Sequence, residues 1–252
     1  MLQIKAMHNK SNILDKFDII LCRPSHGGNI GSTARAMKTM GLTNLHLVQP
    51  KKFPSEESYA LAAGADDILD SALVFDTIEE AMLKSHLAVG FTARKRELSQ
   101  PHQNVRKTAK DLIGFAKNNK IALIFGNETN GLSNNEIKHC QFLSFIDADK
   151  NYSSLNLAQS VQICCHEIRR ALDCENTNPI NKKQAPKFVT QSQLNGFFLH
   201  FEEVLDNIGF LKKIQGERLM QRMRLLFNRT QLDKDEINIM RGIFTEIQKK
   251  IK

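Results

Sequence analysis

The chain predicts an α/β domain, a mostly parallel sheet with helices on both faces, followed by a small α-helical domain. Three observations carry that reading. Short β-branched or aromatic runs alternate with helical patterns from Phe17 to Leu172, at the spacing of successive strand–helix units. Three polar blocks rich in Gly, Ser and Asn each lie between such a run and a helical pattern, where α/β proteins gather their binding loops. Beyond residue 187 the strand signals stop, and apolar residues recur only at threes and fours.

Residues 1–16 are polar and irregular and read as an N-terminal extension. Phe17–Cys22 follows as a strand, then Gly31–Met40 as a helix that Gly41 stops. Leu45–Val48 is the next strand, and Glu56–Ala63 a short helix ending near Gly64. Leu73–Phe75 and Leu87–Phe91 are strands flanking a helix around Ile78–Leu83. A helix through Val105–Ala116 leads into the strand Ile121–Phe125, and Phe142–Ile146 is the last strand. From Asn156 to Leu172, Leu157, Val161, Cys164, Cys165, Ile168 and Leu172 make one apolar stripe. These elements define a domain over residues 17–172. Residues 173–187, polar with two prolines, read as a linker. In residues 188–252, three helices each show one apolar face: Leu194 to Ile208, Leu219 to Phe227, and Ile237 to Ile251.

The net charge of +8 is unevenly spread. Residues 1–172 hold 21 Lys/Arg against 17 Asp/Glu, and residues 173–252 hold 14 against 10, so equal excesses sit on very unequal lengths. A basic tail favours a polyanionic partner such as RNA, although a solvated charged surface has the same composition. The five cysteines form no CxxC pair and no metal-ligand spacing, which predicts reduced thiols and no metal. Met1 to Ser25 lacks the apolar core of a signal peptide, and no apolar stretch approaches membrane-spanning length. The expectation is a cytoplasmic protein without a membrane partner.

In the first polar block, Ser25 to Gly31, a strand runs through glycines into a helix. Such a turn gathers free N–H groups and a positive dipole end that suit an anion, or it needs the glycines only for backbone freedom. Arg35 follows on that helix among small residues, either as a cation reaching over its own helix or as an ordinary surface arginine. His26 is a conceivable proton acceptor, though a histidine in a turn is more often incidental. In the second block Gly126 and Gly131 bracket a loop holding Glu128, and Ser133 and Glu136 have capping-box spacing. The third supplies Ser153, Ser154 and Asn156 at a helix entry, as ligands or as caps. Candidate phosphate contacts are Arg94 and Arg96 after the strand Leu87–Phe91, and Arg218, Arg222, Arg224 and Arg229 in the tail. The absence of tryptophan and the presence of only two tyrosines leave base stacking without an evident platform.

Taken together, the three blocks resemble the three motifs of the SpoU branch of the SPOUT methyltransferases, which methylate RNA ribose using S-adenosylmethionine. The runs Asn29–Leu47, Tyr152–Ala158, Leu225–Phe227 and Glu236–Gly242 are similar to the bacterial subgroup that methylates cytidine and uridine in tRNA. The resemblance implies Arg35 as the catalytic arginine, with Asn29, Glu128, Ser154 and Asn156 as the motif residues beside it. It implies cofactor contacts from Phe91, Thr92, Ala93, Gly126, Ile146, Ser153, Ser154 and Leu155. Phe91 stands where related enzymes often have a small residue. The resemblance also implies a trefoil knot, a homodimer, a tRNA-binding tail and a target at position 32 of the anticodon loop. Because a guanidinium stays protonated, Arg35 reads as an orienting cation, with the proton going to water, or to Arg35 itself if RNA binding makes it unusually acidic. Other readings are a ribosomal-RNA 2'-O-methyltransferase, an NADP-binding oxidoreductase using Lys51 and Lys52, or a non-catalytic RNA-binding module.

Overall fold

A computed structural model describes residues 13–93, 101–177, 188–211, 216–230 and 232–251. Its strands are β1 (Phe17–Cys22), β2 (Asn44–Val48), β3 (Leu73–Phe75), β4 (Leu87–Phe91), β5 (His102–Asn104), β6 (Ile121–Phe125) and β7 (Phe142–Phe145). They form one sheet in the order β3-β2-β1-β6-β4-β7-β5, and every ladder is parallel. The helices are α1 (Gly27–Met40), α2 (Glu56–Ala62), α3 (Asp66–Asp70), α4 (Ile78–Ala81), α5 (Val105–Ala116), α6 (Asn134–Ile137) and α7 (Leu157–Thr177). The tail adds α8 (Gln191–Asn207), α9 (Gly216–Thr230) and α10 (Lys234–Ile251).

The central strands β1, β4 and β6 are buried along their whole length, which is why they read as continuous apolar runs instead of alternating ones. Alternate residues still face opposite layers. Ile19 and Leu21 of β1 join the cluster under α1, α5 and α7, whereas Ile20 and Cys22 join a second cluster with Ile78, Met82 and Ile137. Among the described residues no helix is long and apolar enough to cross a membrane.

Helix α1 starts at Gly27, four residues before the sequence pattern suggests, so Gly27, Gly28 and Gly31 lie inside it. Their role is close approach: a Cβ at Gly31 would stand 2.0 Å from the Ser58 carbonyl oxygen of α2. Packing also begins earlier than expected, since Leu14 is 3% exposed in the main core. Residues 1–12 of the expected extension lie outside the described residues. At its other end α7 runs on to Thr177, five residues past the expected boundary at Leu172. The extra turn needs no apolar stripe, because Lys117 Nζ holds Glu175 at 2.7 Å and Arg169 meets Asp173 at 3.4 Å. Residues 178–187 of the expected linker lie outside the described residues. Two elements escaped the sequence pattern. β5 is a three-residue polar edge strand made by backbone pairing with β7, and α3 is a five-residue helix.

The tail has its own core, in which Phe197, Phe198, Ile237 and Phe244 are buried and Phe201 stacks on Phe244 at 5.0 Å. It docks on the main domain through backbone and side-chain bonds. Gln191 N donates to Ser85 O at 2.8 Å, Phe188 N to Asn119 Oδ1 at 3.2 Å, and Asn228 Nδ2 to Lys138 O at 3.2 Å. Ser85, Asn119 and Lys138 all lie in connections that feed the N-terminal ends of β4, β6 and β7. The tail therefore covers the N-terminal edge of the sheet.

The glycine geometry predicts a contrast. Gly31→Ala forces α1 off α2 and should destabilise the protein by about 1–3 kcal/mol or more. Gly114→Ala in α5, where an added Cβ meets nothing within 4 Å, should stabilise it by up to about 1 kcal/mol. Equilibrium urea denaturation of the two variants reads both; equal midpoints would remove the close-packing role of Gly31.

Candidate active site

In a parallel sheet all strands point the same way, so the segments leaving β1, β4, β6 and β7 share one edge. The adjacency β1-β6-β4-β7 brings the first polar block, after β1, beside the second, after β6. Their meeting point is the Glu128 carboxylate. Ser25 N donates to Glu128 Oε2 at 3.0 Å and Ser25 Oγ at 2.7 Å, His26 N donates to Oε1 at 3.3 Å, and Asn29 Nδ2 to Oε1 at 2.8 Å. The donor-rich entry to α1 is thus filled by a carboxylate of the same chain, not left open for an external anion.

The third block joins through Asn29. Asn156 Nδ2 donates to Asn29 Oδ1 at 2.9 Å, while Asn156 Oδ1 accepts from Ala158 N at 2.9 Å and so caps α7. Asn156 is therefore both a cap and a link. Partial burial pushes the Glu128 carboxyl upward, but the bonds from Asn29 and Ser25 outweigh it and hold its pKa at about 2. Glu128 is fully ionised near neutral pH and its oxygens are engaged. It can hold its neighbours but is poorly suited to take a proton.

A tie that the sequence pattern did not single out braces this arrangement. Arg23, at φ 52 directly after β1, places Nη2 2.9 Å from Oε1 of buried Glu136. Glu136 Oε2 in turn accepts from Ser133 N at 2.6 Å in the expected capping box. The available signal was an arginine before a proline at the end of a core strand, too common a pattern to stand out.

A cavity opens beside the clamp. Phe91, Thr92 and Ala93 line it from β4, Gly126 and Glu128 from the loop after β6, Ile146 from the end of β7, and Ser153, Ser154 and Leu155 from the approach to α7. The structure thus brings all eight residues expected at the cofactor to one cavity, together with Ser144, Asn130 and Ser160, which sequence reasoning did not assign. Phe91 is 7% exposed and stacks on Phe125 at 4.5 Å and 11°, as their register pairing across β4 and β6 allows. The loop after β6 folds tightly over the cavity: a Cβ on Gly126 would lie 2.0 Å from the Gly131 carbonyl carbon. Ser153 and Ser154 are exposed, with no hydrogen-bond partner among the described residues.

Arg35 does not line the cavity. It is exposed on α1, six residues after Asn29, and has no ion-pair partner among the described residues. Of the candidate phosphate contacts, Arg218 and Arg222 are exposed on α9. Arg224 is engaged within the protein, its guanidinium 4.5 Å over the Phe198 ring, where burial lowers its pKa against the pull of Glu202 and Glu79. Arg94, Arg96 and the side chain of Arg229 lie outside the described residues. Among the described residues no three His, Cys, Asp or Glu side chains group as metal ligands.

The fold is that of an α/β protein whose binding loops gather at one edge of a parallel sheet, and comparison with known proteins gives the family. Residues 16–166 match the SpoU rRNA Methylase family, and residues 192–252 match the tRNA methyltransferase TrmJ C-terminal domain. The chain belongs to the SpoU methylase family. It is 40% identical over 242 residues to the tRNA (cytidine/uridine-2'-O-)-methyltransferase TrmJ of Yersinia pestis (strain Pestoides F), covering 95% of this chain and 94% of that one. It is 40% identical over 245 residues to the tRNA (cytidine/uridine/adenosine-2'-O-)-methyltransferase TrmJ of Pseudomonas aeruginosa (strain UCBPP-PA14), covering 94% and 95%. Among solved structures, TrmJ from Z. mobilis ZM4 superposes with a TM-score of 0.80 at 28% identity, over 92% of this chain and 98% of that one.

The clamp carries a pH prediction. The folded pKa of Glu128 lies below its ordinary 4.5, so its contribution to stability is fully present above that value and is lost as pH falls toward about 2. Glu128→Gln should lower stability at neutral pH, and the gap to the wild type should close between those two values. Methyl transfer should fall by about 10²-fold as Asn29 and Asn156 lose register. Superimposable acid-unfolding curves for the two proteins would remove the charge from this role.

Proposed function

We propose that this chain is an S-adenosylmethionine-dependent 2'-O-ribose methyltransferase acting on tRNA, with cytidine or uridine at position 32 of the anticodon loop as its target. The observation that carries the reading is the Glu128–Asn29–Asn156 chain, which joins all three motif loops beside one cavity that Glu128 helps to line. The cavity suits such a cofactor: its lining combines aromatic and aliphatic side chains from Phe91, Phe125, Ile146 and Leu155 with hydroxyls from Ser153 and Ser154 and the amide of Asn130. Phe91 to Ala93, Gly126, Ile146 and Ser153 to Leu155 would hold it. When bound, the cofactor supplies a sulfonium methyl, an electrophile that needs no covalent intermediate with the protein.

What remains for the protein is to hold the ribose 2'-oxygen in line and to stabilise charge as it develops there. Arg35 is the residue for this. Its guanidinium, exposed and without an ion-pair partner among the described residues, can meet a substrate phosphate and polarise the neighbouring hydroxyl, and its planar fork can do both at once. Glu128, ionised and engaged, positions Asn29 and the helix bearing Arg35; the departing proton goes to water. We assign residues 17–177 to the methyltransferase domain, with the SPOUT trefoil knot, and residues 188–252 to a tRNA-binding domain. Arg218 and Arg222 remain its phosphate contacts. We take the working form to be a cytoplasmic homodimer.

Methyl transfer from labelled S-adenosylmethionine to bulk tRNA, against ribosomal RNA, tests the substrate class, and calorimetry with S-adenosylmethionine against NADPH tests the cofactor. In single-turnover assays Arg35→Ala should cut the rate by about 10²–10³-fold with little change in cofactor affinity. Arg35→Lys should rescue poorly, and His26→Ala should lose less than about tenfold. A crippled His26→Ala beside a near-normal Arg35→Ala would reverse the catalytic assignment.

A further inference from the structure

Tyr152 is 82% exposed, the highest value among the large apolar and aromatic side chains of the described residues. An aromatic ring standing in water is informative where a lone surface leucine is not, because so much apolar area is left unburied. Its position makes it more so. Ser153, Ser154 and Leu155, the next three residues, line the cavity, whereas Tyr152 itself lies outside the lining.

The ring is presented by a fixed turn. Tyr152 N donates to Asp149 O at 3.2 Å and Asn151 N to Asp149 Oδ1 at 2.8 Å, so the segment closes on itself. Four residues on, Asn156 is bonded to Asn29, which ties the same segment to the clamp. The Tyr152 hydroxyl has no partner among the described residues, whereas that of the chain's other tyrosine, Tyr59, donates to Asp70 Oδ1 at 2.9 Å. No internal bond explains the outward ring. Lys150, exposed in the same turn and without an ion-pair partner among the described residues, sets a cation beside it. Two carboxylates lie in the same segment, Asp149 accepting from Asn151 N and Asp147 from Asn104 Nδ2.

An exposed ring directly before a cavity-lining segment, with an exposed cation two residues earlier, makes a combination suited to single-stranded RNA, whose unstacked bases lie on aromatic faces while their phosphates meet lysine. We propose that Tyr152 is a stacking platform for a base of the substrate RNA at the mouth of the cavity, with Lys150 contacting the adjoining phosphate. This rests on the RNA-methyltransferase reading and adds to it a substrate-positioning residue distinct from the cofactor wall and from Arg35.

Because the chain contains no tryptophan, Tyr152→Trp in the full-length protein creates a single fluorescent reporter at the site in question. Its emission should be quenched by tRNA and unchanged by S-adenosylmethionine alone. Tyr152→Ala should raise KM for tRNA roughly 5- to 100-fold, the range for loss of one base–aromatic stack, with cofactor affinity unchanged. Tyr152→Phe and Tyr152→Trp should both stay within about threefold of the wild type, since a flat ring and not the hydroxyl is required. Quenching by the cofactor alone, or emission that responds only to protein concentration, overturns the proposal, placing the ring in the cofactor site or between two copies. A wild-type enzyme that methylates tRNA while Tyr152→Ala keeps its KM overturns the stacking role and leaves the proposed function standing. A wild type that neither binds nor methylates tRNA overturns both.

Discussion

The arrangement of the candidate site depends on one carboxylate. Glu128 accepts hydrogen bonds from two backbone amides, a hydroxyl and a side-chain amide, all supplied by a segment about a hundred residues earlier in the chain. An ionised acceptor among converging donors makes stronger bonds than a neutral one, and its depressed pKa keeps it ionised near neutral pH. Asn29 then passes the constraint to Asn156, 127 residues further on, and so to the start of α7. Each amide is oriented at both ends, which leaves neither free to rotate. With the loops after β1 and β6 and the entry to α7 locked together, the cavity among them has a defined shape.

The parallel sheet decides where that lock can form. All strands end on one edge, so the motif loops collect there and the opposite edge is left for another task. The tail fills it, through Gln191, Phe188 and Asn228. A five-residue strand separates the edges by roughly 17 Å. A substrate that touches both the cavity and the tail of one chain must therefore span the domain, which a folded RNA can do and a nucleotide cannot. The same packing changes the meaning of the tail's charges: Arg224 lies over Phe198 and is committed to the domain, whereas Arg218 and Arg222 on the same helix face solvent.

Several features were hidden from the sequence for identifiable reasons. β5 has no apolar pattern because it is an edge strand whose place comes from backbone bonds to β7. The last turn of α7 is held by ion pairs to α5 and within α7, which leave no periodic hydrophobic trace. The glycines before Arg35 look like a turn, yet Gly31 serves contact with a helix more than twenty residues away. Tyr152 reads as one more aromatic residue until its exposure is known.

By itself the sequence determined the fold class, the positions of the core strands along the chain and the three polar blocks, and its resemblance to the SpoU branch implied the residues expected at the cavity. The strands and blocks follow from local rules: buried strands need continuous apolar runs, and ligand loops need glycines and small polar groups where strands meet helices. Tertiary structure alone decided which members of those blocks touch. That Glu128 holds Asn29, that Arg35 stands off the cavity wall, that Arg224 is packed and Tyr152 is not, all depend on distances between segments far apart in the chain. No local pattern encodes such distances, because they are set by how the sheet orders its strands and how closely the helices pack upon it.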